Sequence, residues 1–370
     1  MKVVSSLIPV MLLSFGACFG GTPTPYTGNQ NNSNVNNSNV NNSSLNNLAD
    51  AEVDVPDDGS STDADADGGD PDPVDQAWYE GEDASLREPF TFLVVTDTHV
   101  RIPGNPDDTG YDNQKNLENN QALVTLVNNE LAHAKFLAIS GDLVGALFSS
   151  NVNDYFEGAD TPSHRFKSIM DGLSIPWQAV LGNHDYEENY TTEGISAEDP
   201  ADMEAIWTRV LGMPPYYSIV YRGFRFLFLN SVRGERYWDV CLLGQEETGC
   251  TGSFGDEQNQ WIAAQLENPE PVVMFFHHPL HTDSWYTLWS AAGSSFQVAE
   301  EDAFYALAEA HAQKIKAIFV GHGHMWANDT LFDTIQVFET CSIGDSRGEP
   351  ENLRIVQADP ATGEVVVEEY

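Results

Sequence analysis

Five apolar runs of this chain pass directly into Asp, Asn or His, and that habit restricts the folds open to it more than any other feature. Thr91 to Val95 leads into Asp97-Thr98-His99, and Phe136 to Ile139 into Gly141-Asp142. Trp177 to Leu181 leads into Gly182-Asn183-His184-Asp185, Val272 to Phe276 into His277-His278, and Ala317 to Val320 into Gly321-His322-Gly323-His324. Short runs rich in β-branched and aromatic residues read as buried strands. Helical periodicity predicts helices between them, at Leu117 to Leu131, His164 to Leu173, Asp256 to Leu266 and Ala303 to Ala312. Such alternation belongs to α/β folds with largely parallel sheets. Two strands, Tyr217 to Tyr221 and Phe224 to Leu229, are separated only by Arg222-Gly223, a hairpin spacing that adds an antiparallel pair. The tail from Thr334 to Tyr370 is strand-rich. The pattern predicts two sheets packed together with helices outside.

In α/β sheets ligands gather beyond the carboxyl ends of the strands, so the five polar loop starts can converge on one crevice. Asp97 and His99 are two apart, as are His322 and His324. In extended chain each such pair projects to one side and can share a centre. Glycines at 141, 182, 321 and 323 let the backbone turn tightly and approach an ion or substrate closely. Mixed carboxylate, amide and imidazole donors suit Mn, Fe or Zn rather than Ca or a thiolate site. Seven candidate ligands are more than one ion needs. A lone buried histidine is more often core than ligand, so His277 and His278 are not separated by this reasoning, and His133, His164 and His311 read as structural. Trp285, Tyr286 and Trp289 read as packing or as the lining of a cleft.

The folded part is expected at residues 87–370, because the 86 residues before it cannot build a core. Residues 1–17 have Lys2, then a short apolar run ending in Gly16 and Ala17, which reads as a signal peptide. The run falls short of the roughly 20 residues a bilayer crossing needs. Phe15-Gly16-Ala17-Cys18 resembles a lipobox, with Phe15 where an aliphatic residue is preferred. The expectation is an exported protein tethered to the membrane through a lipidated Cys18, with ordinary cleavage and release as the alternative. Residues 18–86 form a spacer. Asn31-Asn32-Ser33-Asn34-Val35 repeats directly as residues 36–40, and such polar low-complexity sequence stays disordered. Fourteen acids and no Lys or Arg lie between Asp50 and Asp83. Asp63-x-Asp65-x-Asp67-Gly68 imitates the start of a calcium loop, but Val74 stands where its closing Glu belongs.

Those fourteen acids leave −27 of the total −41 on the rest of the chain. A folded part that acidic repels nucleic acid, so no nucleic-acid partner is expected, and any phosphate chemistry depends on bound cations. Cys241 and Cys250 bracket a short Gly-containing loop and can pair or stay free thiols, which leaves Cys341 alone.

Taken in order, the motifs Asp97-x-His99, Gly141-Asp142, Gly182-Asn183-His184-Asp185, His277 and Gly321-His322-x-His324 resemble those of the calcineurin-like metallophosphoesterase superfamily, over roughly residues 90 to 325. The resemblance implies a four-layer α/β/β/α sandwich, two mixed sheets flanked by helices. It implies two divalent metal ions, with Asp97, His99 and His324 on one, Asn183, His277 and His322 on the other, and Asp142 bridging. It selects His277 over His278 as the ligand, and it makes His184 the catalytic imidazole beside the leaving group. Two ions about 3.5–4 Å apart activate a shared water to hydroxide for attack on phosphorus. Many relatives carry an Asp three residues after the bridging Asp to orient the imidazole, and purple acid phosphatases carry a metal-binding Tyr there. Here that position is Gly145, so orientation is expected from elsewhere, with Asp185 the candidate. The implied function is hydrolysis of small-molecule phosphate monoesters or diesters. The alternatives are a pyrophosphatase on nucleotide diphosphate compounds, or a surface-tethered metal-binding module without activity.

Overall fold

The computed structural model describes residues 87–102, 113–146, 160–186, 200–232, 252–282, 297–299, 302–345 and 348–370. The leader, Cys18, the spacer with its Asp63 to Gly68 run, Cys241, Cys250, Trp285, Tyr286 and Trp289 lie outside the described residues. Among the described residues no helix is long and apolar enough to cross a membrane.

The first sheet has β1 (Phe90–Val95), β2 (Leu137–Ser140) and β3 (Trp177–Val180) in parallel. The sheet strands that close the chain, β10 (Arg354–Asp359) and β11 (Glu364–Glu369), join antiparallel on the β1 side, giving the order β11-β10-β1-β2-β3. In the second sheet β5 (Phe224–Phe228), β6 (Val272–Phe275), β7 (Ile315–Val320) and β9 (Ile335–Glu339) run parallel. Antiparallel β4 (Tyr217–Tyr221) and β8 (Ala327–Leu331) complete it, in the order β4-β5-β6-β7-β9-β8. The β4–β5 turn is the expected hairpin. Arg222 and Gly223 both have positive φ, 46° and 86°, as a two-residue turn matched to strand twist requires.

Helices α1 (Asn113–Glu130) and α2 (Pro162–Met170) connect the strands of the first sheet, with α3 (Pro200–Leu211) between β3 and β4. Helices α4 (Gly255–Leu266) and α5 (Phe304–Ala310) connect those of the second. Helix α1 packs on α2 and α2 on α3, while α4 packs on α5, so each sheet carries its own helix layer. Strand periodicity shows the layering directly. Phe224, Phe226 and Phe228 of β5 face the core between the sheets, while Leu227 and Leu229 face the core under α4 and α5. In β6, Val273 and Phe275 face inward, whereas Val272, Met274 and Phe276 face the helices. Phe92 of β1 meets Phe226, Phe275 and Phe319 of the opposite sheet edge-on, at 5.4, 6.1 and 6.2 Å between ring centroids. Those aromatic contacts clamp one sheet onto the other. The architecture is the four-layer α/β/β/α sandwich of two mixed sheets.

The structure departs from expectation in four places, the first being β8, which is not among the expected strands because only its end residues Ala327 and Leu331 are buried. Helix α1 begins at Asn113, a turn earlier than the apolar spacing predicts, because its first inward residues are Asn113, Asn116, Asn119 and Asn120. Helix α3 is not among the expected elements, although Met203, Ile206, Trp207 and Val210 are the buried, helically spaced residues that hold it to the core. Cys341, expected to stand alone, is fully buried and disulfide-bonded, with its partner outside the described residues. Distance along the chain does not decide which thiols a fold brings together.

Candidate metal centre

All five polar loop starts meet at one place. Asp97 and His99 follow β1, Asp142 follows β2, and Asn183 and His184 follow β3. His277 follows β6, and His322 and His324 follow β7, so two sheets face each other across the site. Beyond the strand ends the loops after β1 and β2 keep pairing: Asp97 N–H donates to Gly141 O, His99 N–H to Asp142 O and Val100 N–H to Leu143 O. The extended geometry expected for the spaced pairs is not what the chain adopts. Asp97, His99, Asp142, His322 and His324 all have positive φ, between 42° and 73°. Non-glycine residues in that region are uncommon and cluster at functional sites. Gly182 is needed for a different reason, since a Cβ there would overlap Asp142 Oδ1 and the Asp142 amide.

Both carboxylates are buried and are held by one oxygen. Asp97 Oδ2 accepts from Thr96 Oγ1 at 2.7 Å and from the His322 N–H at 3.1 Å. Its Oδ1 faces His324 Nε2 at 3.0 Å and His99 Nε2 at 3.5 Å. Asp142 Oδ1 accepts from the His184 N–H at 2.9 Å. Asp142 Oδ2 accepts no hydrogen bond and lies 3.1 Å from His277 Nε2 and 3.7 Å from His99 Nε2. Two ligand groups result, Asp97, His99, Asp142 and His324 in one, Asp142, His277 and His322 in the other, each with its donor atoms within 4.8 Å of one another. Asp142 is common to both. Asn183 Oδ1 joins the second group, 3.1 Å from His277 Nε2. His278 stays outside both groups and bonds through Nδ1 to Ser231 Oγ at 2.8 Å.

The donor set fits cations. His277 Nδ1 is 2.9 Å from the Ser140 carbonyl, a pure acceptor, so the one proton of the neutral ring sits on Nδ1 and leaves Nε2 bare. That bare nitrogen lies 3.1 Å from both Asp142 Oδ2 and Asn183 Oδ1, three lone-pair atoms with no hydrogen of their own to share. His99 Nε2 and His324 Nε2 likewise stand 3.2 Å apart. Converging acceptors at this spacing match what a divalent ion with N and O ligands requires. Charges within the site follow from the same packing. Burial alone would raise the Asp97 carboxyl, but the imidazoles of His324, His99 and His277 hold it well below the ordinary carboxylate range. Burial lowers His99 to about 4, against the Asp97 contact that favours its charged form. For His277 burial is outweighed by the Asp142 carboxylate, which brings it up to about 8, so without a cation the ring favours a second proton on Nε2, the place a bound cation would take.

His184 is half-buried beside the first group, its ring edge-on to His99 at 4.8 Å. Its orientation corrects the sequence-based expectation. The His184 Nδ1 partner is the backbone carbonyl of Gly145, at 3.1 Å, and not Asp185. Asp185 points away and accepts from the N–H groups of Leu143, Val144 and Gly182, at 2.9, 3.0 and 2.8 Å. A carboxylate that satisfies three amides of the loop has no oxygen to spare for the ring, and the turn it stabilises is what presents Gly145 O.

Two sets of residues were not anticipated. Asn116 Nδ2 lies 3.1 Å from Thr98 O and 2.9 Å from His99 O, and Asn120 Nδ2 donates to Thr98 O at 2.9 Å, so α1 braces the Asp97–His99 loop through side-chain amides. Asp345 Oδ2 lies 3.2 Å from His324 Nδ1. Neither set forms a motif with the ligands, since both act from elements distant in sequence.

The family profile described as calcineurin-like phosphoesterase matches residues 90–326. Among solved structures, a dimetal phosphatase from Danio rerio aligns at 16% identity and TM-score 0.49, covering 76% of this chain and 99% of that one. A purple acid phosphatase from yellow lupin (Lupinus luteus) seeds aligns at 14% identity and TM-score 0.47, covering 76% of this chain and 53% of that one. The calcineurin-like phosphoesterase YfkN from Bacillus subtilis aligns at 14% identity and TM-score 0.43, covering 76% and 89%. No curated protein matches the chain.

Proposed function

The chain belongs to the calcineurin-like phosphoesterase family, and from that premise we propose that it hydrolyses phosphate esters of small molecules with two divalent cations, Mn, Fe or Zn, held on either side of Asp142. One observation carries the reading: a buried carboxylate oxygen without a hydrogen bond, Asp142 Oδ2, is common to two groups of N and O donors. Asp97, His99 and His324 would hold one cation and Asn183, His277 and His322 the other. Cations held there would supply the positive charge that phosphoryl oxygens need and would lower the pKa of a bound water.

The chain's own residues do the rest. Asp142 is kept in place by the His184 N–H, so the loop that shapes the metal site also places the imidazole. With Nδ1–H given to Gly145 O, His184 is left with Nε2 as the atom that exchanges a proton. In its charged form it hands that proton to the departing ester oxygen. The negative surface charge then selects for phosphate compounds that are met by cations rather than by basic side chains.

The test is turnover of the purified full chain, with Mn2+ added, on a nitrophenyl phosphate, a bis-nitrophenyl phosphate and a nucleotide diphosphate compound. Ester turnover that stops on chelation and returns with Mn2+ supports the proposal. Turnover of the diphosphate compound alone would favour a pyrophosphatase, and bound metal without turnover would leave a binding module. We place this activity outside the cytoplasm on the strength of residues 1–18 alone. Loss of detergent partitioning in Cys18→Ser is the expected sign of a lipid tether.

A further inference from the structure

We propose that Asp345 is a positioning residue for the metal centre: its carboxylate accepts a hydrogen bond from the Nδ1–H of His324 and thereby keeps Nε2 as the nitrogen turned, with its lone pair, toward Asp97 and His99. The inference rests on the reading of those residues as metal ligands. Asp345 lies beyond residue 326, where the match to the family ends. Its Oδ2 is 3.2 Å from His324 Nδ1, and the opposite ring nitrogen of His324 is 3.0 Å from Asp97 Oδ1. Carboxylates face both ring nitrogens, but Asp345 alone stands outside the donor group, so with a cation at Asp97 and His99 the one proton of the neutral ring goes to Nδ1 and Asp345, leaving the lone pair on Nε2.

The backbone around Asp345 is built to keep it there. Gly344 N–H donates to Asp97 O at 2.9 Å, and Ile343 N–H donates to Thr96 O at 3.3 Å. Ser342 Oγ donates to Asp97 O at 3.0 Å and accepts the Asp345 N–H at 2.8 Å. Gly344 comes so close to the ligand loop that a Cβ would overlap the Thr98 carbonyl. Asn116 and Asn119 of α1 donate to Gly344 O and Ile343 O, and Cys341 ties the start of the segment through its disulfide. The Asp97 loop and the segment that carries Asp345 are therefore one hydrogen-bonded unit. His324, from the opposite sheet, is gripped between Asp97 on one ring nitrogen and Asp345 on the other.

The experiment is calorimetric titration of the metal-free full chain with Mn2+, for wild type, Asp345→Asn, Asp345→Ala, His324→Ala and the double variant Asp345→Asn with His324→Ala. Thermal melting of each metal-free protein is measured alongside. Wild type should bind two equivalents. Both Asp345 variants should weaken one binding step by about 10–100-fold and leave the other and the metal-free melting temperature unchanged. In the His324→Ala background Asp345→Asn should add nothing, as expected when two residues act through one contact. Unchanged binding in both Asp345 variants would overturn the proposal. So would a fall in metal-free melting that matches the loss of binding, since Asp345 would then merely hold its loop. Fewer than two equivalents in wild type would overturn the ligand assignment and this inference together, whereas two tight equivalents in both wild type and Asp345→Asn would remove this inference alone.

Discussion

The two sheets bring unlike halves to the same centre. The loops after β1, β2 and β3 contribute Asp97, Asp142 and Asn183 with a single imidazole, His99, whereas the loops after β6 and β7 contribute only imidazoles, His277, His322 and His324. The first half carries all the negative charge and the second carries none when its rings are neutral. Their bracing differs as well. The loops after β1 and β2 pair through backbone hydrogen bonds and the loop after β3 is tied to them through Asp142 and Asp185, but His324 is reached by Asp345 from a segment attached to the opposite half. Each candidate donor group draws residues from both sheets, so its geometry depends on how the sheets are packed together.

Removing the joint between the halves should have the largest effect. Asp142→Asn keeps the shape but takes the charge from the oxygen common to both groups, and is expected to abolish activity and to lower bound metal from two equivalents per chain. His277→Ala, confined to the second half, should keep one. Elemental analysis of the purified variants decides it, and full occupancy with full activity in Asp142→Asn would break the comparison at its centre.

The next effect separates chemistry from metal holding within the first half. His184→Ala should retain both equivalents and slow hydrolysis of an alkyl phosphate by roughly 100-fold to 10,000-fold, with a smaller loss on a nitrophenyl ester whose leaving group needs less protonation. Equal losses on both esters would assign His184 to charge stabilisation instead, and lost metal would make it a ligand.

Packing comes third. Phe92→Ala removes the ring through which β1 meets three phenylalanines of the other sheet, and should cost about 3–5 kcal/mol in denaturant unfolding, with both metal equivalents weakened together. Weakening of only one equivalent would show that the halves are not coupled through this core.

The smallest effect should come from Asn116→Ala, which removes the side-chain donor to His99 O while Thr98 O keeps Asn120, and should cost about 1–3 kcal/mol. Its influence on metal should be confined to the group that contains Asp97 and His99.

The candidate ligands were legible because strand and site share a boundary: an apolar run that stops at Asp or His announces both the strand and the polar crevice beyond it. The hairpin was legible because Arg222-Gly223 leaves no other way to turn. The supports were not. Asn116 and Asn120 look like surface residues in a helical pattern, since burial by bonding to carbonyls has no apolar signature. The Gly145 carbonyl has no side chain to read, and Asp345 lies in sequence far from the imidazole it touches. The role of Asp185 was not legible, because adjacency to His184 says nothing about which of two nearby groups, a ring or three amides, a carboxylate satisfies.

The positive φ angles at Asp97, His99, Asp142, His322 and His324 set apart what these positions prefer from what they are required to be. Left-handed backbone is tolerated best by glycine, then by asparagine and aspartate. A substitution scan selected for folding alone should therefore enrich Gly and Asn at the three histidines, residues that relieve the backbone while erasing the ring. Selection for turnover should restore histidine at each. The centre would thus be recognisable in such a scan as a stability–activity trade-off written into five residues.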